Sequence, residues 1–266
     1  MSFELRRNGA LEYLVSTRIE TPHCFSTRLG GVSEGYLASL NLGVHRGDTR
    51  ENCLRNYQIL GETVGFRPED TVFARQIHSD IVARVGAEDR GRGLDDSLHD
   101  IARDGMVTNE SSVALTVFSA DCTPILLWDP VRRAVGAVHS GWRGTAAGIV
   151  KKAVEKMTAE FGTDPAALRA AIGPCIGPCC FETHREVPDA MFEALGDAAK
   201  PAIRDTDEPG KFCVDLKLLN ETWLRLAGVT QIDVSKDCTA CQPDRFWSHR
   251  RAGDRRGSLA AVILLP

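Results

Sequence analysis

Hydrophobic and polar positions along the chain fall into two periodicities. Short β-branched or continuously apolar runs predict strands over residues 23–27, 71–76, 81–85, 105–108, 113–119, 125–129, 134–139, 168–172, 232–234 and 258–265. Apolar residues spaced three and four apart predict helices over 51–64, 145–161, 186–195 and 216–226. In the second of these, Ile149, Val150, Ala153, Val154, Met157 and Phe161 make one apolar face, Lys151, Lys152, Glu155 and Lys156 lie outside it, and Gly162 ends it. Strands outnumber helices and do not alternate with them one for one. That pattern predicts an α+β fold with a large mixed sheet and flanking helices, not a doubly wound one. The charged, glycine-rich stretches 86–103 and 205–211 predict surface excursions. Neither has the length or composition of a linker, so residues 1–266 are expected to form a single domain.

Three predicted strands end in, or stop just short of, a metal-binding side chain: His78 in RQIHSD, Cys122 in FSADCTP and His139 in GAVHSGW. A sheet fixes the backbone at such ends while the loop exposes the group. Two imidazoles and a thiolate suit zinc, and three protein ligands leave a fourth position for water, whose pKa the metal lowers. The same spacing also fits hydrogen-bonded histidines and an inert packed thiol. Asp104 and Asp121 could each take a proton from that water or order a ligand imidazole, although Asp104, before a glycine, also fits a turn. GPCIGPCC and DCTAC hold Cys175, Cys179, Cys180, Cys238 and Cys241. Four of these could form a structural zinc site, but the first cluster lacks C-x-x-C spacing and reads more readily as buried thiols around a Gly-Pro turn. The zinc-deaminase pattern H-x-E with P-C-x-x-C does not occur.

Arg28 in STRLGGVSEG and Arg143 in SGWRGTAAG sit among glycines, where the backbone can approach a ligand and a guanidinium can fork onto phosphate or carboxylate. Thr145 could cap the helix that follows and leave its N–H groups for an anion; a capped helix with a surface arginine is the alternative. No Walker loop is present. The net charge of −4 implies no general affinity for nucleic acid. Arg250, Arg251, Arg255 and Arg256 form a local basic cluster that reads as a solvated loop, with phosphate binding as the alternative. No run approaches the ~18 apolar residues of a membrane span, and the N-terminus has no secretory pattern, so a cytoplasmic location is expected. In that compartment the nine cysteines are expected as thiols or ligands before disulfides.

STRLGGVSEG, SLNLGVHRGD, RQIHSDIV, DGMVTN, SADCTPILLWD, GAVHSGWRGTAAGIV, AIGPCIGPCCFE and DCTACQPDRFWSHRR follow one another in this order. Together they resemble the YfiH family, long labelled multicopper polyphenol oxidase (laccase) and also described as peptidoglycan-editing factors. The resemblance runs from about Phe25 onward. It implies an α/β/α sandwich around a mixed sheet, similar to the deamidase domain of cytotoxic necrotizing factor toxins. It places zinc on His78, Cys122 and His139. It also implies phosphorolysis of adenosine, inosine, guanosine and methylthioadenosine, with adenosine deamination. The expected partners are therefore purine nucleosides and phosphate, not nucleic acid or membrane. Arg28, Asn41, Gln76 and Arg143 are the expected substrate or phosphate contacts, and Cys122, His139, Asp104 and Asp121 the expected catalytic groups. A copper oxidase would need many histidines, often as H-x-H pairs; this chain has seven histidines and no such pair. A rival reading makes Cys122 a nucleophile and His139 its base in a metal-free amidase, for example in peptidoglycan editing. The tail departs from the family pattern: His249 stands where tyrosine is usual and Ala252 where aspartate is usual. The sequence sets no oligomeric state.

Overall fold

The computed structural model describes residues 2–94 and 102–266. Residues 95–101, part of the expected excursion 86–103, lie outside the described residues. In chain order the strands are β1 (Phe3–Asn8), β2 (Leu11–Ser16), β3 (His23–Ser26), β4 (Thr71–Val72), β5 (Val82–Arg84), β6 (Gly105–Thr108), β7 (Ala114–Ser119), β8 (Thr123–Asp129), β9 (Ala134–Ser140), β10 (Arg169–Ile172), β11 (Glu182–Thr183), β12 (Ile203–Asp205), β13 (Phe212–Val214), β14 (Gln231–Val234) and β15 (Leu259–Ile263). The helices are α1 (Arg50–Val64), α2 (Trp142–Ala146), α3 (Ile149–Phe161), α4 (Glu186–Leu195), α5 (Leu216–Leu226) and α6 (His249–Ala252).

The fold is α+β, with mixed parallel and antiparallel pairing. The strands between the helices form two six-stranded sheets, ordered β1-β2-β3-β15-β7-β4 and β14-β10-β8-β9-β6-β5, beside a small sheet β11-β13-β12. Alternation explains the layering. On β15, Leu259, Ala261 and Ile263 enter one apolar cluster while Ala260 and Val262 enter another. On β8, Leu126 and Trp128 join the first cluster, whereas Ile125 and Leu127 pack with α3. The shared cluster lies between the two sheets; α1 covers the far side of one, and α3 and α5 the far side of the other. Each large sheet thus has both faces buried, which is why its central strands are continuously apolar in sequence. The expected single large sheet flanked by helices is therefore a face-to-face pair of sheets with helices outside.

Two local departures matter for the site. The predicted helix 145–161 is broken by Gly148, which adopts φ 68°, so α2 and α3 are separate. The Thr145 carbonyl accepts from the Gly148 N–H at 3.1 Å and from Trp223 Nε1 at 2.7 Å, so the break leaves it satisfied. Within the predicted strand 71–76 only Thr71–Val72 forms a strand, followed by an isolated bridge from Arg75 to Ala102. Beyond it the Gln76 amide does the work of a backbone rung: its Oε1 accepts from the Phe118 N–H at 2.6 Å and its Nε2 donates to the Phe118 carbonyl at 2.8 Å. Among the described residues, no helix is long and apolar enough to cross a membrane.

Candidate metal centre

The site is built around Asp104, the residue before β6, which is almost fully buried. Its Oδ2 accepts from the N–H groups of Ile77 and Ser79 and from Ser79 Oγ. Its Oδ1 accepts from the His78 N–H at 3.1 Å and from His139 Nδ1 at 2.8 Å. One carboxylate therefore shapes the loop that presents His78 and orients the ring of His139. His78 sits at φ 59°, a left-handed conformation unusual outside glycine, and three consecutive N–H groups turned onto one acceptor hold it there. Burial pushes the Asp104 carboxyl up, but the bonds from His139 and Ser79 outweigh it and hold the group at about 2.

His139 is near the end of β9, cross-strand from Pro124, so the β8–β9 pairing sets its height relative to Cys122, the residue just before β8. Because Nδ1 of His139 donates to Asp104, its Nε2 is left for a ligand. His78 Nε2 lies 3.8 Å from Cys122 Sγ, and the ligand atoms of His78, Cys122 and His139 are all within 4.8 Å of one another. Burial pushes the Cys122 thiol up, but His139 and His78 overcome it and bring the group down to about 6. Burial pushes His139 down, while Cys122 and Asp104 raise it to about 9. A thiolate flanked by two imidazoles, one fixed by a carboxylate, is a donor set suited to zinc, with room for a further ligand because His78 is exposed.

Gly141 explains one of the glycines after His139. A Cβ there would lie 2.7 Å from His78 Cδ2 and 3.2 Å from Cys122 Sγ. Gly141→Ala is expected to push His78 off the trio and lower zinc affinity on the order of 10–100-fold, the range seen when ligand orientation is lost, as measured by competition with a chromophoric chelator.

Two cavities meet at the trio. One, of about 390 Å³, is lined by residues including Gly43, His45, Gln76, Phe118, His139 and Ser258. The other, of about 320 Å³, is lined by residues including Asp121, Trp142, Ile176, Phe181, Leu216 and His249. His78, Cys122, Arg46 and Arg256 line both. Arg46 lies in HRGD, a stretch that carries no anion-binding motif of its own. Arg256 belongs to the basic cluster whose composition predicts a solvated loop or a phosphate contact, yet it is only 8% exposed. Burial and the neighbouring Arg46 hold its guanidinium down at about 10, and its buried Nε has no hydrogen-bond partner. Two close arginines, one with an unspent donor, favour an anion. The legible signal was the HRGD stretch carrying Arg46 and the basic tail carrying Arg256.

The other expected contacts are placed differently. Arg28 stacks over Trp247 at 3.7 Å and donates to the carbonyls of Pro243 and Ala38, so it ties backbone segments together and lines neither cavity. Arg143 is exposed, stacks on Trp142 at 4.3 Å and lines neither cavity. The anion cradle expected around it does not form: α2 is a single short turn begun by Gly141, and the Thr145 hydroxyl bonds Ser140 and Asn220 inside the fold instead of capping a helix. Asn41 is fully buried and accepts from the N–H groups of Gly43 and Ser258, which shapes the cavity wall without facing it. Gln76 lines the first cavity, but its amide is committed to Phe118. Asp121, at φ 100°, lines the second cavity while accepting from Thr239 Oγ1 and the Arg250 N–H. The tail does reach the site, because His249 and Arg250 line the second cavity.

A two-sheet α+β frame that presents a His–Cys–His trio at strand ends, beside paired arginines, defines a protein of enzyme type with a candidate metal centre. The chain belongs to the family described as multi-copper polyphenol oxidoreductase laccase, whose model matches residues 22–266. It is 38% identical over 241 residues to a protein of Geobacillus stearothermophilus named purine nucleoside phosphorylase YlmD, covering 90% of this chain and 88% of that one. It is 36% identical to the protein of the same name from Bacillus subtilis, over 90% of this chain and 86% of that one. The crystal structure of YfiH from Bacillus licheniformis superposes with a TM-score of 0.92 at 32% identity, covering 98% of this chain and 99% of that one. The multicopper centre in the family description does not fit these residues, since a set of two histidines and one cysteine holds a single metal ion. Among the described residues the trio is the one metal-ligand group that contains histidine, whereas a multicopper centre needs several.

Proposed function

We propose that the chain is a zinc-dependent purine nucleoside phosphorylase that also deaminates adenosine. The observation that carries this reading is the meeting of the His78–Cys122–His139 trio and the Arg46–Arg256 pair on one two-compartment site. The names of the relatives supply the reaction class. Zinc held by the trio would act as a Lewis acid and lower the pKa of water, the chemistry that deamination requires. Arg46 and Arg256 hold phosphate, and the unpartnered Nε of Arg256 gives it a donor. Trp142, Ile176, Phe181 and Leu216 offer the purine an aromatic and aliphatic compartment on the other side of the trio. Asp104, its oxygens committed to the 77–79 loop and His139, positions the ligands. Asp121, which faces the cavity, handles the proton.

Purified protein incubated with adenosine and phosphate is expected to release adenine and ribose 1-phosphate, and to form inosine without phosphate. Absence of all three from zinc-loaded protein would overturn the reading. Arg256→Ala is expected to raise the phosphate KM by roughly 10–100-fold, matching the loss of about 1.5–3 kcal/mol from a charged hydrogen bond, with much less effect on deamination. Arg143→Ala is expected to leave both nearly unchanged.

The low-lying Cys122 thiol beside His139, itself bonded to Asp104, favours a second reading, a thiol hydrolase. The second imidazole weighs against it, since a Cys–His pair needs one. Alkylation of metal-free protein at Cys122 separates the two readings. Zinc should protect Cys122 and sustain activity in the first, and should inhibit in the second.

A further inference from the structure

We propose that Cys179, Cys180, Cys238 and Cys241 form a second metal site, a closed four-thiolate centre that takes zinc and serves structure, not chemistry. The inference stands independently of the reading of the trio. The four sulfurs lie within 4.8 Å of one another. Cys241 Sγ is 3.4 Å from both Cys179 Sγ and Cys180 Sγ. None is disulfide-bonded, and these separations are far beyond the ~2.05 Å of an S–S bond. Four sulfurs at ~2.3 Å from a tetrahedral zinc stand about 3.8 Å apart, so the group needs only small adjustment to close on the ion. Disulfide chemistry would require pairs; here all four converge.

The surroundings fit thiolates. The Gly177 N–H donates to Cys238 Sγ at 3.1 Å. A Cβ at Gly177 would lie 3.2 Å from Cys179 Sγ and 3.5 Å from Cys238 Sγ, so the turn between Cys175 and Cys179 passes close against the sulfurs. Burial pushes the Cys179 thiol up to about 11 and the Cys180 thiol further still, so binding a cation there releases protons. With all four positions supplied by protein, no water is left to activate, which marks a structural centre.

The ion would also have a mechanical task. Its ligands come from two loops that also meet through an isolated bridge between Cys175 and Cys238, the Thr239 N–H to Cys175 carbonyl bond and the Gly177 N–H to Cys238 Sγ bond. Both loops support the second cavity. Phe181 follows Cys180, the Arg250 guanidinium donates to the Cys180 and Glu182 carbonyls, and the Thr239 hydroxyl donates to Asp121. Joining the loops through one ion would hold that wall in place.

The test uses the full chain purified under reducing conditions, with zinc counted by atomic absorption. The expected content is about two zinc ions per chain, falling to about one in the double variant Cys238→Ser/Cys241→Ser and about one in His139→Ala. Should the double variant fail to fold, cobalt(II) loaded into wild type and into His139→Ala decides the matter. The expected spectrum has intense thiolate-to-metal charge transfer and tetrahedral visible bands of a four-sulfur site, retained in His139→Ala. One zinc per wild-type chain with no such cobalt spectrum would overturn the proposal. So would intact-mass data showing the four cysteines paired as disulfides.

Discussion

His139→Ala is expected to abolish zinc binding at the trio and, with it, both phosphorolysis and deamination. The change leaves His78 and Cys122 as the remaining ligands, and it removes the imidazole whose charge does most to hold the Cys122 thiol low. The remaining pair would meet zinc with a thiol that ionises less readily, so ligand number and ligand basicity fall together. The loss should exceed the roughly 10–100-fold typical of an altered outer partner. The substitution also removes one of the two donors to Asp104 Oδ1, leaving the His78 N–H, with the loss of a charged hydrogen bond worth about 1.5–3 kcal/mol. Zinc content and turnover should be measured together on folded protein, with melting temperature as the control. Full zinc occupancy of the trio in this variant would remove His139 from the ligand set.

Asp104→Asn carries the second-largest effect and separates positioning from ligation. Asparagine keeps the shape but replaces one acceptor oxygen with an N–H₂ group. At Oδ2 that group would face the donors of Ile77, Ser79 N and Ser79 Oγ; at Oδ1 it would face His78 N and His139 Nδ1. Either orientation sets donor against donor. Zinc affinity is expected to fall on the order of 10–100-fold, with stability lower by about 1–3 kcal/mol. Saturating zinc should restore much of the turnover, which it would not do for His139→Ala. Turnover that stays lost at full zinc occupancy would show that Asp104 acts on the substrate itself.

Much of the scaffold was legible because its central strands are apolar on both faces. The ten predicted runs all contain observed strands, and the stretch around Ile149–Phe161 shows the expected helical face. β1 escaped notice because five of its six residues are exposed, leaving no alternation at a sheet edge. β11, β12 and β13 are too short to carry a period. The division into two sheets was hidden because a strand buried on both faces has the same sequence whether a helix or another sheet covers it. At the site, strand ends pointed to His78, Cys122 and His139, which the fold brings together. Glycines near an arginine were a poorer guide. Around Arg143 they make room for the trio, and around Arg28 the guanidinium is spent on carbonyls. Arg46 and Arg256 are far apart in sequence and acquire their meaning only when the tail folds back beside the Gly43 loop.

That fold-back has a consequence for biosynthesis. β15 follows every other strand in the chain yet lies between β3 and β7, bonded to both. While the ribosome is still translating, the first sheet has an unfilled slot at its middle. Arg256 and Ser258, just upstream of β15, arrive at the cavity with the strand that fills it. Closure of the sheet and delivery of Arg256 to the cavity are therefore one event that follows synthesis of the other strands, and a nascent chain stalled before residue 256 would hold the trio's three side chains but neither the slot's strand nor the cavity's buried arginine.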